Sequence, residues 1–260
     1  MTTIDKYPRT QHIEGSRLQE GDHDLSQVTF KELENQHFVV EEKMDGANAG
    51  ISFSDNADLL LQSRGHFLIG GPRERHWTLF KRWAAAHTEE LFDILGSRYV
   101  MYGEWMYAKH TVYYDLLPHY FLEFDVYDKD TNNFLSTRQR RMMLTNSCVT
   151  SVLVLHEGVI SDLNSLKSLV RPSYFKSGMW KMNLTAEALK RKQDPTIISA
   201  QTDKHDDMEG LYIKIENQDC VTKRLKWVRH TFLNSIIELE THWLDRTIIP
   251  NRLAPGVVIA

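Results

Sequence analysis

The chain has 260 residues, 42% of them hydrophobic and 25% charged, a balance that excludes a disordered or low-complexity protein. No apolar run approaches the roughly 18 residues of a membrane span, and the opening MTTIDKYPRTQHIEG is too polar for a secretory leader. Cys148 and Cys220 build no disulfide framework and match no zinc spacing, so a reducing, cytoplasmic setting is the simplest expectation.

A net charge of −4 argues against a protein that coats nucleic acid by bulk electrostatics. The charge is uneven: residues 1–60 carry 5 Lys+Arg against 12 Asp+Glu, which leaves +3 over residues 61–260. Basic clusters fall at Arg138–Arg141, Lys190–Lys192 and Lys223–Arg229. They read as solvated faces or as a groove that tracks phosphates on an otherwise acidic body.

In chain order, β-rich runs are predicted over 37–43, 47–53, 59–63, 99–105, 120–128, 209–216 and 220–228. In 120–128, Leu122, Phe124 and Val126 alternate with Glu123, Asp125 and Tyr127, the period of a half-buried strand. Helical stripes are predicted over 73–87 (Trp77, Phe80, Ala84), 137–146 and 161–170. The clearest helix follows residue 228, where Val228, Phe232, Ile236, Leu239 and Trp243 recur at spacings of four and three. The expectation is an α+β domain over 1–230, dominated by antiparallel sheet flanked by helices, with a C-terminal helix and tail over 231–260.

The most informative segment is Glu41-Glu42-Lys43-Met44-Asp45-Gly46-Ala47-Asn48. Its bland reading is a hairpin with a solvated lysine, because Asp-Gly is a strong turn signal. The chemical reading needs a lysine nucleophile on rigid β-structure. A free lysine titrates near about 10.4, so neighbouring cations or burial must lower that value before it attacks phosphorus.

Lys43-Met44-Asp45-Gly46 followed by Asn48 resembles the nucleotidyl-acceptor motif of the covalent nucleotidyltransferases, which include ATP-dependent DNA ligases, RNA ligases and mRNA capping enzymes. The motif is followed, in that superfamily's order, by Ser63-Arg64-Gly65, Tyr102-Gly103-Glu104-Trp105 and Phe121-Leu122-Glu123-Phe124-Asp125. Glu209-Gly210-Leu211-Tyr212-Ile213-Lys214 and Lys223-Arg224-Leu225-Lys226 complete the set. The Glu-Lys-x-Asp-Gly-x-Asn form most resembles the RNA ligases that seal nicks in double strands.

The resemblance implies an ATP-grasp-like nucleotidyltransferase fold and a role for each matched residue. Lys43 would attack the α-phosphorus of ATP and hold AMP as a phosphoramidate. Arg224 and Lys226, two apart and so on one strand face, would stabilise charge at the α-phosphate and help keep Lys43 unprotonated. That superfamily commonly has lysine at both positions, so either Arg224 or its neighbour Lys223 could do this work; strand parity favours Arg224. Nucleotide contacts fall to Glu42, Asn48, Arg64, Glu104, Phe124 as the ring on adenine, Glu209, and Lys214 as a further phosphate contact. Glu104 and Glu209 are the metal carboxylates, for Mg2+ with Mn2+ as an alternative. The turn-rich 7–17 segment, including Tyr7, either borders the pocket or is ordinary loop.

Only 34 residues follow Lys226, too few for the five-stranded OB barrel that similar DNA ligases and capping enzymes carry there. The function implied is an ATP-dependent RNA ligase that joins 3′-hydroxyl and 5′-phosphate RNA ends through lysyl-AMP and an adenylated end. RNA repair is the expected setting, with an end-healing kinase or phosphatase as a partner and no membrane partner. A minimal DNA ligase and a non-catalytic nucleotide-binding module stay open as alternatives.

Overall fold

The computed structural model describes residues 3–18, 26–232 and 247–259. Its strands are β1 (Gln11–His12), β2 (Phe38–Glu42), β3 (Ala47–Phe53), β4 (Leu59–Ser63), β5 (Tyr99–Trp105) and β6 (Phe121–Asp128). They continue with β7 (Asn133–Leu135), β8 (Thr150–Ser151), β9 (Val154–Gly158), β10 (Gly210–Glu216) and β11 (Cys220–Val228). The helices are α1 (Thr78–Ala86), α2 (Thr88–Leu95), α3 (Thr137–Met143), α4 (Leu163–Lys167), α5 (Trp180–Lys190) and α6 (Pro195–Ala200).

The main path of the sheet runs β4-β3-β5-β6-β7-β11-β10-β2-β9, with β1 added to β11 and β8 to β6. The main path is antiparallel throughout, while the two short additions pair in parallel. Short β7 joins two limbs, since Phe134 pairs with Tyr127 of β6 on one side and Val221 of β11 on the other. Val100, Tyr102, Leu122 and Phe124 from one limb share an apolar cluster with Val228 and Tyr212 from the other. The limbs therefore face one another across a common floor.

Helices cover the outer side of the first limb. Ala49, Ile51 and Phe53 of β3 and Met101 and Trp105 of β5 pack against Phe80, Trp83, Leu91 and Leu95 of α1 and α2. Phe80 is fully buried, and truncating such a ring typically costs about 3–5 kcal/mol. A separate cluster on the second limb gathers Phe38, Val40, Ile213 and Leu225 with Phe30 and Leu33. Helices α5 and α6 close over Tyr113 and Ile249.

Some expectations change. Residues 43–46 make no hairpin: β2 pairs with β10 and β9, and β3 with β4 and β5, so this segment crosses between limbs. Asp45 is spent on that crossing, because its Oδ2 accepts the backbone N–H groups of Thr111 at 2.7 Å and Val112 at 2.6 Å. Strand β6 is buried on both faces, Glu123 and Asp125 included. Its alternation breaks at a bulge, where Tyr102 faces Asp125 but Gly103 faces Glu123, leaving Phe124 without an opposite residue. The 73–87 helix opens as a 3₁₀ turn, Pro72–Trp77, before α1.

Much of the expected C-terminal helix lies outside the described residues. Residues 247–259 run back over the domain, where Asn251 Oδ1 accepts the Tyr114 N–H at 2.9 Å and its Nδ2 donates to the Met106 carbonyl at 2.7 Å. Among the described residues no helix is long and apolar enough to cross a membrane.

Candidate active site

Strand β2 delivers Lys43 to the rim of a cavity of about 710 Å3 between the limbs. The Lys43 N–H donates to the Gly210 carbonyl at 3.0 Å, which carries the β2–β10 pairing one step past the strand end. Its ammonium then meets Glu209 Oε1 at 2.6 Å. Gly210 is required by this close approach: a Cβ there would lie 2.0 Å from the Trp227 carbonyl oxygen of β11. Gly46 is pinned in the same way, since a Cβ would lie 2.7 Å from Met106 Sδ and 2.8 Å from the Trp105 carbonyl oxygen.

The first limb supplies the opposite wall. Glu104 and Asn48 sit directly across from each other on β5 and β3, and both line the cavity. Glu104 Oε1 accepts the Gly46 N–H at 3.2 Å, which ties the lysine-bearing crossing to β5. Asn48 Oδ1 and Glu209 Oε2 are buried with no hydrogen-bond partner, and buried acceptors are rarely left so. Both are suited to a ligand.

Electrostatics here oppose one expectation. Burial pulls the Lys43 pKa down, but Glu209, Asp45 and Glu104 outweigh it and hold the value above the ordinary lysine range. The nearby cations therefore do not leave Lys43 neutral. Three carboxylates around one ammonium are in excess, and burial together with their mutual repulsion pushes Glu209 up to about 7 and Glu104 up to about 8.

One end of the cavity is aromatic. Phe124, freed by the bulge, meets Tyr7 edge-on with centroids 5.2 Å apart and Tyr212 at 5.7 Å. Tyr7 OH donates to Asp125 Oδ2 at 2.5 Å and also meets the Tyr212 hydroxyl. The 7–17 segment does border the pocket: Tyr7 and Thr10 line it, and Gln11–His12 pair with Leu225–Lys226. Glu42 lines the same cavity and is 1% exposed. Ser173 Oγ donates to its Oε1 at 2.6 Å, its Oε2 has no partner, and burial pushes its pKa up to about 7.

Arg64 is exposed at the cavity mouth, and Lys226 lines the wall beside Tyr212, its cross-strand partner. Arg224 stands one layer back. Its guanidinium lies 3.7 Å from the Phe134 ring centroid and 5.4 Å from that of Tyr7, and it does not line the cavity. Lys223 points to the other side of β11, where its charge acts on Glu32.

Lys214 departs furthest from its expected place. Its ammonium is fully buried, 3.0 Å from Glu41 and 3.2 Å from Asp125, and donates to the Phe124 carbonyl. Arg140 completes this cluster, bonding Glu123 at 2.6 Å and Glu41 at 2.8 Å. Lys214 thus braces the cavity floor and does not itself line the cavity. His66 and His110 also line the cavity, and no spacing in the sequence distinguishes them from ordinary histidines.

The sequence profile of the RNA ligase family matches residues 36–228, which contain every motif described above. The chain belongs to the RNA ligase family. Among solved structures, three variant forms of Naegleria gruberi RNA ligase share the fold, two with ATP and Mn and one with AMP and Mn. Each aligns with a TM-score of 0.51 at 15% identity over 78% of this chain and 52% of that one. This family member thus spans about half the length of those enzymes. No curated protein matches the chain.

Proposed function

We propose that this RNA ligase family member uses ATP to join RNA 3′-hydroxyl and 5′-phosphate ends through a lysyl-AMP, in RNA repair. The observation that carries the reading is Lys43 Nζ held 2.6 Å from Glu209 in a cavity that also contains Phe124 and Lys226.

Phe124, backed by Tyr7, offers a face for adenine, and base-on-ring stacking is worth about 1–3 kcal/mol. Lys226 and Arg64 supply cations along the phosphate path. Lys43 Nζ gives up its proton, for which Glu209 Oε1 is the adjacent acceptor, and attacks the α-phosphorus. The N–P bond forms as the bond to pyrophosphate breaks, and Lys226 counters the charge that develops on the α-phosphate oxygens. AMP then passes to an RNA 5′-phosphate, and a 3′-hydroxyl displaces it.

The residues fit a hard divalent cation, since Glu104 and the unpartnered Glu209 Oε2 are oxygen donors in carboxylate excess. Mg2+ or Mn2+ held there would offset the charge of the ATP phosphates.

Sealing of 5′-phosphate nicks with RNA or DNA on the 3′-hydroxyl side tests the substrate assignment. Preferential sealing of RNA 3′-hydroxyl nicks is expected. Equal sealing of both would contradict an RNA enzyme.

A further inference from the structure

The fold brings together three side chains that are dispersed in the sequence. His87 lies at the junction of α1 and α2, Glu90 in the first turn of α2, and Cys148 in the segment between α3 and β8. One donor atom from each falls within 4.8 Å of the others, and all three residues are half-buried. No other group of three His, Cys, Asp or Glu side chains among the described residues meets that spacing. None of the three lines the nucleotide cavity.

Their surroundings are arranged for coordination. His87 Nδ1 lies 2.9 Å from the Trp83 carbonyl oxygen. A carbonyl only accepts, so Nδ1 carries the proton and Nε2 presents its lone pair. A ligating histidine is typically oriented this way, by donating its second ring N–H to a backbone carbonyl or carboxylate. The Trp83 ring packs against the imidazole with centroids 5.5 Å apart, which fixes its plane further. Glu90 Oε1 accepts the Cys148 N–H at 2.5 Å, and the same carboxylate accepts a hydrogen bond from the Cys148 thiol, so the two prospective ligands are already held together. His87 and Glu90, three residues apart at the start of α2, share one face of the helix.

We infer that His87, Glu90 and Cys148 form a site for a borderline divalent cation of the Zn2+ class, separate from the nucleotide cavity. The donor set decides the class. Imidazole and thiolate favour Zn2+ and Co2+, while Mg2+ and Mn2+ prefer oxygen alone. Three protein ligands leave one tetrahedral position for water. On binding, Cys148 Sγ loses its proton to solvent and forms the metal–sulfur bond. The ion would fasten the α1–α2 junction to the chain leading into β8, behind the β6 strand that carries Phe124.

Titrating metal-free protein with Co2+ alone tests this site. A 1:1 complex with tetrahedral d–d bands and a near-ultraviolet thiolate charge-transfer band is expected, and Zn2+ should bleach both. Cys148→Ser should remove the charge-transfer band, Cys220→Ser should leave it, and His87→Gln should weaken binding. Each ligand loss should cost at least the roughly 10–100-fold in affinity usual for an outer-shell partner. Circular dichroism of each metal-free variant establishes that it is folded, and the His87 variant decides the matter if the Cys148 variant is not. Co2+ binding without a thiolate band, or a band that follows Cys220, would overturn the assignment.

Discussion

Lys43 Nζ and Glu209 Oε1 lie 2.6 Å apart although 166 residues separate them in sequence. Lys43 extends from the end of β2 and Glu209 immediately precedes β10, and the Lys43 N–H to Gly210 carbonyl bond between them leaves little freedom. Lys43 is thus held charged and in place by a carboxylate that is itself 1% exposed.

This pairing has a pH signature. Burial and neighbouring carboxylates raise Glu209 from 4.5 to about 7 and Glu104 to about 8. Between those limits the folded protein binds more protons than the unfolded chain, so its stability falls as pH rises from about 4.5 to 8. Each tenfold gain in proton affinity on folding is worth about 1.4 kcal/mol, so Glu209 alone accounts for roughly 3 kcal/mol. The raised Lys43 value acts above this window, since its contribution is complete below the ordinary lysine pKa and lost only at higher pH. Chemical denaturation across pH 5–8.5 should show the decline, and Glu104→Gln should flatten it.

Phe124 should govern nucleotide affinity. Phe124→Leu removes the aromatic face while keeping most of the apolar volume against Tyr7 and Tyr212. Loss of about 1–3 kcal/mol of stacking predicts roughly 5–150-fold weaker ATP binding by calorimetry, with Phe124→Tyr close to wild type.

Lys214 and Lys226, both on β-strands of the second limb, should respond in different ways. Lys214→Met leaves Glu41 and Asp125 short of a buried counter-charge, and breaking such a pair costs about 3–5 kcal/mol. Urea unfolding should register that loss, and adding Asp125→Asn should recover part of it. Lys226→Met acts at the cavity wall and should slow adenylation by roughly 10²–10³, the usual cost of one charge-stabilising group.

Much of this was legible in the residues. The predicted runs 47–53, 59–63, 99–105 and 220–228 coincide with β3, β4, β5 and β11, because alternation and turn residues are local signals. Lys43, Asn48, Arg64, Glu104, Phe124 and Lys226 all reach one cavity, with Glu209 on Lys43. The misses are tertiary. Asp-Gly at 45–46 has the composition of a hairpin, yet the Thr111 and Val112 N–H groups draw Asp45 into a crossing between limbs. Strand parity puts Lys214, Arg224 and Lys226 on one face, but only packing shows that Lys214 is buried on Glu41 and Arg224 on Phe134. Tyr7 reaches Asp125 from 118 residues away, and Cys148 joins His87 and Glu90 although no zinc spacing links them.

The central claim is that Lys43 is the nucleophile, and incubation with α-labelled ATP and Mg2+ tests it most directly. Label retained through denaturation on the wild type, absent from a folded Lys43→Ala variant and released from the protein on adding 5′-phosphate RNA, is the predicted result. Label on both proteins, or on neither while circular dichroism shows them folded, would contradict the account.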